Sequence, residues 1–351
     1  MTLSYYIYKY PYKILWFIHK ILKMNSKIVF YCADPLDYEM FIPIQKHLPD
    51  IPIVAKNKKT KDYLKKKNIK YKNMPVFPDS VIMARHMPYK FPVIKIVKFG
   101  FDHGLYQFKK WTSSKYYNQF DIYFVSSNEQ VKKAKEMGIT TTKAIGYPKL
   151  DNAFNGIYNE NYLRKIKDDL NLDPQKKTII FTSTWNVDGL SALDRWIDKV
   201  HLLTEKYNIL ITVHTWTLDK YKTILKQIDG TVYLDKFDVT PYLMISDIFV
   251  GDYNSLIGEF CALDKPMITF SMQNNKKTLP GILEMLANIS IQIDDFEMIF
   301  DAIKDSLLNP DKKSHEREMA NQILFQSLDG KAGQRAATEI RNLLKKRNLI
   351  I

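Results

Sequence analysis

The sequence feature that most constrains the fold is the stretch from Ser246 to Phe270. Within it an apolar run at 248–250 ends in a polar turn, a helical pattern covers 256–263, and a second apolar run covers 267–270. A strand, a tight turn, a helix and a strand in so short a stretch form the βαβ unit of a parallel sheet. This stretch therefore predicts an α/β fold.

The polar turn of this unit, Asp252–Ser255, is placed at the carboxyl end of the first strand, where open α/β sheets bind ligands. Asn254 or Ser255 can cap the helix that follows. The remaining N–H groups and the positive end of the helix dipole then form a place for a phosphate group. The alternative interpretation is an ordinary capped helix, such as any α/β domain contains.

Strand and helix patterns alternate along most of the chain, which indicates doubly wound parallel sheets. A length of 351 residues exceeds one typical core and suggests two domains. Two such domains facing a central cleft, with a helical C-terminus, form the architecture called GT-B, which is the predicted fold class. The predicted limits are an amphipathic segment at 1–24, an acceptor-side Rossmann-like domain at 25–160, a donor-binding Rossmann-like domain at 161–330 and a C-terminal helix at 331–351.

Apolar runs predict the strands, and longer helical patterns predict the helices between them. Besides those of the βαβ unit, the predicted strands are 27–32, 51–55, 93–99, 121–125, 143–145, 178–182, 209–213, 232–234 and 289–293. The predicted helices are 56–67, 128–137, 161–170 and 192–206, with a helical chain from residue 296 onward.

The composition is strongly basic, with 52 lysines and arginines, 38 acidic residues and a net charge of +14. This balance implies an anionic partner: a phosphate-rich substrate, an acidic membrane surface or a nucleic acid. The sequence has no Gly-rich dinucleotide fingerprint, no Walker loop and no His or Cys pair at metal-ligand spacing, which weighs against NAD enzymes, P-loop NTPases and a resident metal. Cys32 and Cys261 lie in apolar runs and are predicted to be buried, reduced thiols.

The segment 1–24 mixes aromatic side chains with lysines. Its apolar core, Ile14–Leu22, is interrupted by His19 and Lys20 and is too short to span a bilayer. The segment also lacks a small-residue cleavage site, so a signal peptide is not expected. Two interpretations stay open: a helix lying in the membrane interface, with lysines meeting anionic headgroups, and a first helix packed on the domain.

Polar side chains able to take part in catalysis follow four of the predicted strands. Asp102-His103-Gly104 offers an imidazole that can accept a proton from a hydroxyl group, and Asp102 can orient it. Thr182–Trp185 offers hydroxyl donors, His214 a second imidazole, and Asp252–Ser255 a helix start. Structural histidines and ordinary turns are the alternatives. Together these strand ends predict a phosphate-transfer site without a metal cluster.

In their order along the chain, these motifs resemble the CDP-glycerol glycerophosphotransferase family, bacterial enzymes that prime or polymerise teichoic acids and related polymers. The resemblance covers roughly 95–275 and is most specific over 242–270. The matching motifs are His103-Gly, Phe-Val-Ser-Ser-Asn128, Gly146-Tyr-Pro148, Thr-Ser-Thr-Trp185, Val-His214, Ser246-Asp247, Gly-Asp-Tyr-Asn-Ser255 and Leu-Asp-Lys-Pro266. The resemblance implies a GT-B fold and a peripheral enzyme on the cytoplasmic face of the membrane, with no cofactor beyond its CDP-activated substrate.

By this resemblance His103 is the general base, while His214 and the Asp252–Ser255 turn hold the diphosphate of the donor. Thr184 and Trp185 match an element beside the donor site. The expected catalytic residues are therefore His103 and His214; the expected donor- or phosphate-binding residues are Thr182, Ser183, Thr184, Trp185, Asp252, Tyr253, Asn254, Ser255 and Glu259; and the expected acceptor-side residues are Asp102, Gly104, Lys109 and Lys110.

Three departures from the family's pattern leave donor and acceptor open. Leu105-Tyr106 stand where the family has Thr-Pro, Thr215 stands where it has Pro, and Asn254 replaces a serine. The implied function is transfer of glycerol phosphate, or a similar polyol phosphate, from a CDP-activated donor to a hydroxyl of a lipid-linked or cell-surface glycan, releasing CMP. The implied partners are this nucleotide-diphosphate donor, the glycan acceptor and the inner membrane surface.

Three other functions stay open from the sequence alone. One is a GT-B glycosyltransferase that uses a nucleotide sugar in capsule or lipopolysaccharide and lipooligosaccharide synthesis. Another is a UDP-sugar 2-epimerase of the same fold, although its acidic catalytic residues cannot be placed here. The third is a basic protein without catalytic activity that binds membrane or nucleic acid. The sequence has no RNA- or DNA-binding motif, so no nucleic-acid partner is expected.

Overall fold

The computed structural model describes residues 3–102, 104–105, 113–185, 191–272 and 281–349. By their internal contacts these residues form two compact units. The first unit contains 3–102, 113–151 and 326–349, and the second contains 104–105, 152–185, 191–272 and 281–325. Each unit contains one parallel sheet with helices around it, so the predicted α/β fold class is confirmed. The expected domain limits stay a prediction.

The strands of the described residues pair in parallel throughout. The first unit contains β1 (Ser26–Cys32), β2 (Ile53–Ala55), β3 (Tyr71–Asn73), β4 (Pro78–Met83), β5 (Val97–Phe101), β6 (Ile122–Val125) and β7 (Thr142–Ala144). The second unit contains β8 (Lys177–Ser183), β9 (Tyr207–Val213), β10 (Thr231–Tyr233), β11 (Ile248–Gly251), β12 (Met267–Phe270) and β13 (Ile291–Ile293).

The strand order is β3-β2-β1-β4-β5-β6-β7 in the first sheet and β10-β9-β8-β11-β12-β13 in the second. In each sheet the chain first adds strands on one side and then returns to the other, so the direction of winding reverses between β1 and β4 and between β8 and β11. Sheets of this kind bind ligands outside the carboxyl ends of the strands at the reversal point. The reversal between β8 and β11 lies in the part of the chain with the most specific motifs.

Helices connect the strands and form the C-terminal part of the chain. They are α1 (Leu3–Ile21), α2 (Pro35–Gln45), α3 (Lys58–Lys66), α4 (Ser114–Tyr117), α5 (Asn128–Glu136), α6 (Asp151–Phe154), α7 (Glu160–Asp169), α8 (Leu193–Trp196), α9 (Asp219–Lys226), α10 (Thr240–Ile245), α11 (Leu256–Cys261), α12 (Ile282–Ile289), α13 (Ile299–Leu308), α14 (Ser314–Leu324) and α15 (Ala332–Lys346). Short 3₁₀ turns lie at Pro88–Lys90, Pro148–Leu150, Val200–Leu203 and Phe296–Met298.

The central strands are apolar along their whole length because helices cover both faces of a parallel sheet. In β1 every residue from Ile28 to Cys32 is buried, and Phe30 stacks on Phe41 of α2 with ring centroids 3.9 Å apart. In the second unit Trp196 is fully buried and packs on Phe181 of β8. Apolar burial of this extent is the main force that holds each sheet together.

Helix α1 packs on the first unit through one side only. Tyr12 and Trp16 are buried, and their side chains donate hydrogen bonds to the backbone oxygens of Val76 (2.7 Å) and Pro78 (2.7 Å). Helix α1 is therefore packed on the first unit, and the other interpretation of segment 1–24, contact with the membrane interface, stays a prediction. Among the described helices, none is long and apolar enough to cross a membrane.

Helix α15, from the end of the chain, belongs to the first unit together with residues near the middle of the sequence. The carboxylate of Asp151 accepts hydrogen bonds from the backbone N–H groups of Ala332 (3.0 Å) and Gly333 (2.7 Å) at the start of α15. This side chain satisfies two of the N–H groups that the first turn of a helix leaves unpaired.

The βαβ unit predicted at 246–270 is confirmed: β11 and β12 are parallel neighbours joined by α11. The predicted burial of Cys32 and Cys261 is also confirmed. Several elements escaped prediction, among them β3, β4 and α2. Strand β4 begins with Pro-Asp-Ser, which hides its apolar end, and α2 contains two prolines, although Asp34 and Asp37 form a capping box at its start.

Two predicted elements are wrong in their limits. The strand expected at 93–99 begins only at Val97, because the Lys98 ammonium donates to the backbone oxygens of Val93 and Ile96 and holds the preceding chain in a turn. The long helix expected at 192–206 is instead the short α8 and a 3₁₀ turn. Short turns place the buried residues Leu193, Trp196 and Val200 on the same side as a continuous helix does, so their spacing cannot distinguish the two.

Candidate functional site

The carboxyl ends of β8 and β11 lie side by side at the reversal point of the second sheet. Thr182, Ser183 and Thr184 end β8 or follow it, and Asp252 follows β11 directly. In the neighbouring strand β9, Val213 pairs with Ser183, and the next residue, His214, donates its backbone N–H to the Ser183 backbone oxygen (3.0 Å). Three adjacent strands therefore deliver most of the expected donor-side residues to one edge of this sheet.

Asp252 is fully buried, and its carboxylate is surrounded by hydrogen-bond donors. It accepts from the Ser183 hydroxyl (2.6 Å), the Thr184 backbone N–H (2.8 Å), the Ala192 backbone N–H (2.9 Å) and the Asn254 side-chain amide (3.2 Å). Burial raises the pKa of Asp252, and these donors oppose the rise by stabilising the carboxylate. The side chain thus connects the ends of β8 and β11, and its geometry suits positioning of the turn rather than direct contact with a phosphate.

Asn254 connects the turn to both neighbouring elements. Its amide N–H₂ donates to the Thr182 hydroxyl (3.0 Å), and its side-chain oxygen accepts from the backbone N–H of Leu256 (2.9 Å) at the start of α11. Of the two predicted capping residues, Asn254 is therefore the one whose side chain makes the bond. Gly251 allows this close approach, because a Cβ atom there would lie 2.5 Å from the Thr182 hydroxyl oxygen.

Trp185, His214 and Trp216 form an aromatic cluster beyond the ends of β8 and β9. The two indole rings meet edge to face with centroids 5.1 Å apart, and the imidazole lies 6.3 Å from Trp185 and 5.5 Å from Trp216. Trp216 is 59% exposed, although an indole is usually well covered. An open aromatic face beside a buried polar turn can stack a planar ring such as a nucleobase.

The orientation of His214 also assigns its proton. The ring atom Nδ1 accepts a hydrogen bond from the backbone N–H of Trp216 (3.1 Å), so Nδ1 is unprotonated in this arrangement and Nε2 carries the proton. The imidazole therefore presents an N–H donor at Nε2. The N–H group of a neutral imidazole can still donate a hydrogen bond to a phosphate oxygen.

The remaining donor-side residues lie in different surroundings. Ser255 is half-buried, and a Cβ atom on Gly104 would lie 3.5 Å from its hydroxyl oxygen. The hydroxyl of Tyr253 accepts from the side-chain amide of Gln292 (2.9 Å). Glu259 is 1% exposed and lies within α11. Their expected roles in donor binding stay predictions.

In the first unit, Asp102 follows β5 and lies in a second buried polar cluster. Its Oδ1 atom accepts a hydrogen bond from the Tyr123 hydroxyl (2.6 Å), and that hydroxyl also lies 2.8 Å from Nε2 of His86. Its Oδ2 atom is buried and has no hydrogen-bond partner among the described residues. Gly100 makes room for this arrangement, because a Cβ atom there would overlap the Tyr123 ring.

Burial shifts both titratable ends of this cluster toward their neutral forms. It raises the pKa of Asp102 to about 8 and lowers the pKa of His86 to about 4. The cluster of Asp102, Tyr123 and His86 is thus largely uncharged at neutral pH.

Sequence reasoning missed Tyr123 and His86. Tyr123 reads as one more apolar residue of β6, and His86 follows the unpredicted β4, so neither carried a recognisable signal. His103, Lys109 and Lys110 lie outside the described residues, and their expected roles stay predictions.

Comparison with known proteins assigns the chain to a family. The family model described as CDP-glycerol:poly(glycerophosphate) glycerophosphotransferase matches residues 93–342. A teichoic acid glycerol-phosphate transferase from Staphylococcus aureus is 24% identical over 223 residues, which cover 56% of this chain and 53% of the relative. The teichoic acid ribitol-phosphate polymerase TarL from the same organism is 26% identical over 235 residues, covering 63% of this chain and 40% of the relative.

Among solved structures, the wall teichoic acid polymerase TagF matches with a TM-score of 0.68 and 15% identity, covering 97% of this chain and 99% of that chain. At this identity the likeness shows the fold. The chain spans about half the length, or less, of the curated relatives it matches.

Proposed function

The chain belongs to the CDP-glycerol:poly(glycerophosphate) glycerophosphotransferase family, and on this premise we propose that it transfers glycerol phosphate from CDP-glycerol to a hydroxyl group of a lipid-linked or cell-surface glycan. The observation that carries the proposal is the extent of the family match, 93–342, which includes β5, His214 and the Asp252–Ser255 turn. The names of the two relatives, a glycerol-phosphate transferase and a ribitol-phosphate polymerase, support a polyol phosphate as the transferred group.

In the proposed step the acceptor oxygen attacks the phosphorus atom that carries the glycerol. A P–O bond to the acceptor forms, the bridging P–O bond of the diphosphate breaks, and the electron pair of that bond leaves with CMP. The proton of the acceptor hydroxyl passes to the imidazole of His103, which the family's His-Gly motif assigns as the general base. Hydrogen-bond donors at the diphosphate stabilise the charge that develops on CMP.

On the donor side the residues take different tasks. Asp252 holds the ends of β8 and β11 together through its four donors. Ser255 and the Nε2–H group of His214 then donate hydrogen bonds to the diphosphate oxygens. The nucleobase stacks on the Trp185–Trp216 pair. The half-buried Ser255 and the exposed face of Trp216 support this division, because each leaves a surface that a ligand can reach.

Nucleotide binding tests the donor assignment. We expect calorimetric titration of the full chain to give tighter binding of CDP than of UDP or GDP. His214→Ala should weaken CDP binding about ten-fold through loss of a hydrogen bond to a charged oxygen, whereas His214→Gln, which keeps an N–H donor, should restore part of it. Equal affinity for all three nucleotides would contradict the assignment of the CDP donor.

A substitution of the proposed base tests the transfer step separately. His103→Ala should lower kcat at least about a hundred-fold, since general-base catalysis contributes 10²–10⁴-fold, and leave CDP affinity unchanged. Near-wild-type transfer by a folded His103→Ala protein would make the base assignment wrong. The mass of the product distinguishes a glycerol phosphate from a hexose, and therefore a phosphotransferase from a glycosyltransferase.

We further propose that the protein acts peripherally at the cytoplasmic face of the membrane, where a lipid-linked acceptor is held. The net charge of +14 supports attraction to an acidic surface. The proposal includes no resident metal or other cofactor, so transfer should survive treatment with EDTA. If EDTA abolished transfer and a divalent cation restored it, the proposal of catalysis without a resident metal would be wrong.

A further inference from the structure

Helix α1 has an apolar face that the first unit leaves uncovered. Ile7 is 67% exposed, Ile14 61% and Ile21 79%. These three residues recur every seven positions, or two helical turns, so they lie on one side of the helix and span about 21 Å. Other large side chains on or next to this side are also exposed, namely Tyr6, Tyr10, Leu15, Phe17, Ile18 and Leu22.

The opposite side of α1 is fixed, so the helix cannot roll to hide these residues. The hydroxyl of Tyr8 donates to the Lys90 backbone oxygen (2.6 Å), in addition to the bonds made by Tyr12 and Trp16. The Lys20 ammonium pairs with Asp79 at 2.7 Å. The structure thus holds the apolar face outward along the whole helix.

Basic side chains lie beside this face. Residues 1–33 contain five lysines and no aspartate or glutamate. Lys9 and Lys13 are four residues apart and therefore lie on one edge of the helix. The loop at 94–95 adds to the surface: the Lys95 ammonium lies 5.6 Å from the centre of the Phe17 ring, and Ile94 is 91% exposed.

Together these observations favour one kind of occupant. A contiguous apolar surface is uncommon on a soluble protein and marks an interaction site. A second protein chain would cover the apolar side chains but would gain little from a border in which lysines predominate and the carboxylate of Asp79 is already paired with Lys20. An anionic lipid surface matches both parts, since acyl chains accept the isoleucines and headgroup phosphates attract the lysines.

We infer that the outer face of α1, with Ile94 and Lys95, is the surface by which this protein binds an anionic bilayer, with the helix axis parallel to the membrane plane. The helix part of this surface, residues 3–21, lies outside the matched region 93–342, whereas Ile94 and Lys95 lie within it. The inference rests on the proposed function only for the idea that the acceptor is at a membrane.

Vesicle sedimentation of the full chain tests the apolar part. We expect wild-type protein to bind vesicles of phosphatidylglycerol and phosphatidylcholine, and binding to fall as salt is added. Ile14→Ser/Ile21→Ser should weaken the partition coefficient about ten-fold or more, because two large side chains no longer enter the interface. Leu308→Ser, which removes a 70% exposed leucine elsewhere, should bind like wild type.

A pair of charge-matched variants tests the basic part. Lys13→Gln/Lys95→Gln should weaken binding by about five-fold for each lysine removed. Lys65→Gln/Lys66→Gln removes the same charge from α3 and should have much less effect. Equal losses in the two variants would overturn the inference, since they would mean that net charge alone attracts the protein.

Two further results would overturn the inference. One is unchanged vesicle binding by Ile14→Ser/Ile21→Ser. The other is a wild-type dimer in sedimentation velocity that these two substitutions convert to a monomer, since the face would then bind a second copy. A transfer assay with a water-soluble acceptor separates the α1 surface from the proposed function. Failure of wild-type transfer in this assay would contradict the proposed function. Loss of vesicle binding by Ile14→Ser/Ile21→Ser with intact transfer would support the α1 surface.

Discussion

Asp102 and Asp252 follow strands of different sheets, β5 and β11, and both are buried. Their surroundings differ. Asp252 accepts hydrogen bonds from four residues, whereas the described residues give Asp102 a single side-chain donor, Tyr123, and leave its Oδ2 atom without a partner. Burial raises the pKa of both, but several donors oppose the rise at Asp252 and only one at Asp102.

This difference separates two uses of a buried carboxyl group. A carboxylate with several donors fixes backbone, and at Asp252 it fixes the turn that precedes α11. A carboxyl group with one donor is poised to gain or lose a proton, and at Asp102 the group immediately precedes His103. The two carboxyl groups thus differ in what their surroundings allow: Asp252 holds a rigid turn, and Asp102 can change its protonation state.

The largest expected effect comes from removing the Asp252 carboxylate. Asp252→Ala leaves the backbone N–H groups of Thr184 and Ala192 without their acceptor, and the Ser183 hydroxyl keeps only its contacts to the Thr184 backbone oxygen and Ser191. The free energy of unfolding should fall by about 3–5 kcal/mol, measured by urea denaturation. Asp219→Ala, at a side chain that is 98% exposed, is the control and should stay within about 0.5 kcal/mol of wild type. A small effect of Asp252→Ala would show that water can replace the carboxylate.

The second effect depends on pH and concerns Asp102. Its folded pKa of about 8 lies above the ordinary value of 3.8, so its contribution to stability is full below pH 3.8 and is lost as the pH rises through 8. Asp102→Asn keeps a neutral side chain and removes this dependence. Relative to wild type, the variant should gain about 3 kcal/mol of unfolding free energy between pH 5 and 7.

Urea denaturation at several pH values measures this gain. Asp37 and Asp151 also have pKa values raised to about 6 by burial, but they are present in both proteins and cancel in the difference. A difference that stays constant with pH would mean that Asp102 is ionised in the folded state.

A smaller loss is expected from Tyr123→Phe. This substitution removes the hydroxyl that donates to Asp102 and pairs with His86, while the ring still fills the space beside Gly100. Stability at pH 7 should fall by about 1–2 kcal/mol. Tyr116→Phe, at a tyrosine that is 57% exposed, serves as the matched control and should have almost no effect. Equal stabilities of the two variants would show that the buried hydroxyl contributes nothing.

The smallest effect on stability is expected for Trp216→Ala, within about 0.5 kcal/mol, because the ring is largely exposed. Its effect on binding should be larger: KM for CDP-glycerol should rise roughly ten-fold if the indole stacks the base. Leu202→Ala, at another exposed apolar residue, should change neither quantity. An unchanged KM for Trp216→Ala would mean that the nucleobase does not stack on the aromatic cluster.

Much of the donor-side arrangement could be read from the sequence. The run from Ile248 to Phe270 predicted β11, α11 and β12, and the residues between them were expected at a strand end. The prediction succeeds because a short apolar run that glycine and polar residues stop sharply is typical of a buried strand. The expected role of Asp252 in donor binding stays a prediction, and its bonds to Ser183 and Ala192 could not be read from the sequence because these residues are 60 to 69 positions away.

The clusters that depend on distant residues could not be predicted. Tyr123 and His86 meet Asp102 only because β4, β5 and β6 are neighbours in the sheet, and β4 gave no clear strand pattern. In the same way, the aromatic and basic character of α1 was visible in the sequence, but not which side packs on the first unit. That side is decided by the backbone oxygens of Val76 and Pro78, which accept the hydrogen bonds of Tyr12 and Trp16.

The sequence by itself determined the parallel α/β fold, the strand ends that carry polar residues and the family, because these depend on local periodicity and short motifs. Only the tertiary structure decided which carboxyl group is satisfied, which is left short of donors and which face of α1 stays open. Hydrogen-bond partners and burial depend on residues far apart in the chain, and no local pattern contains them.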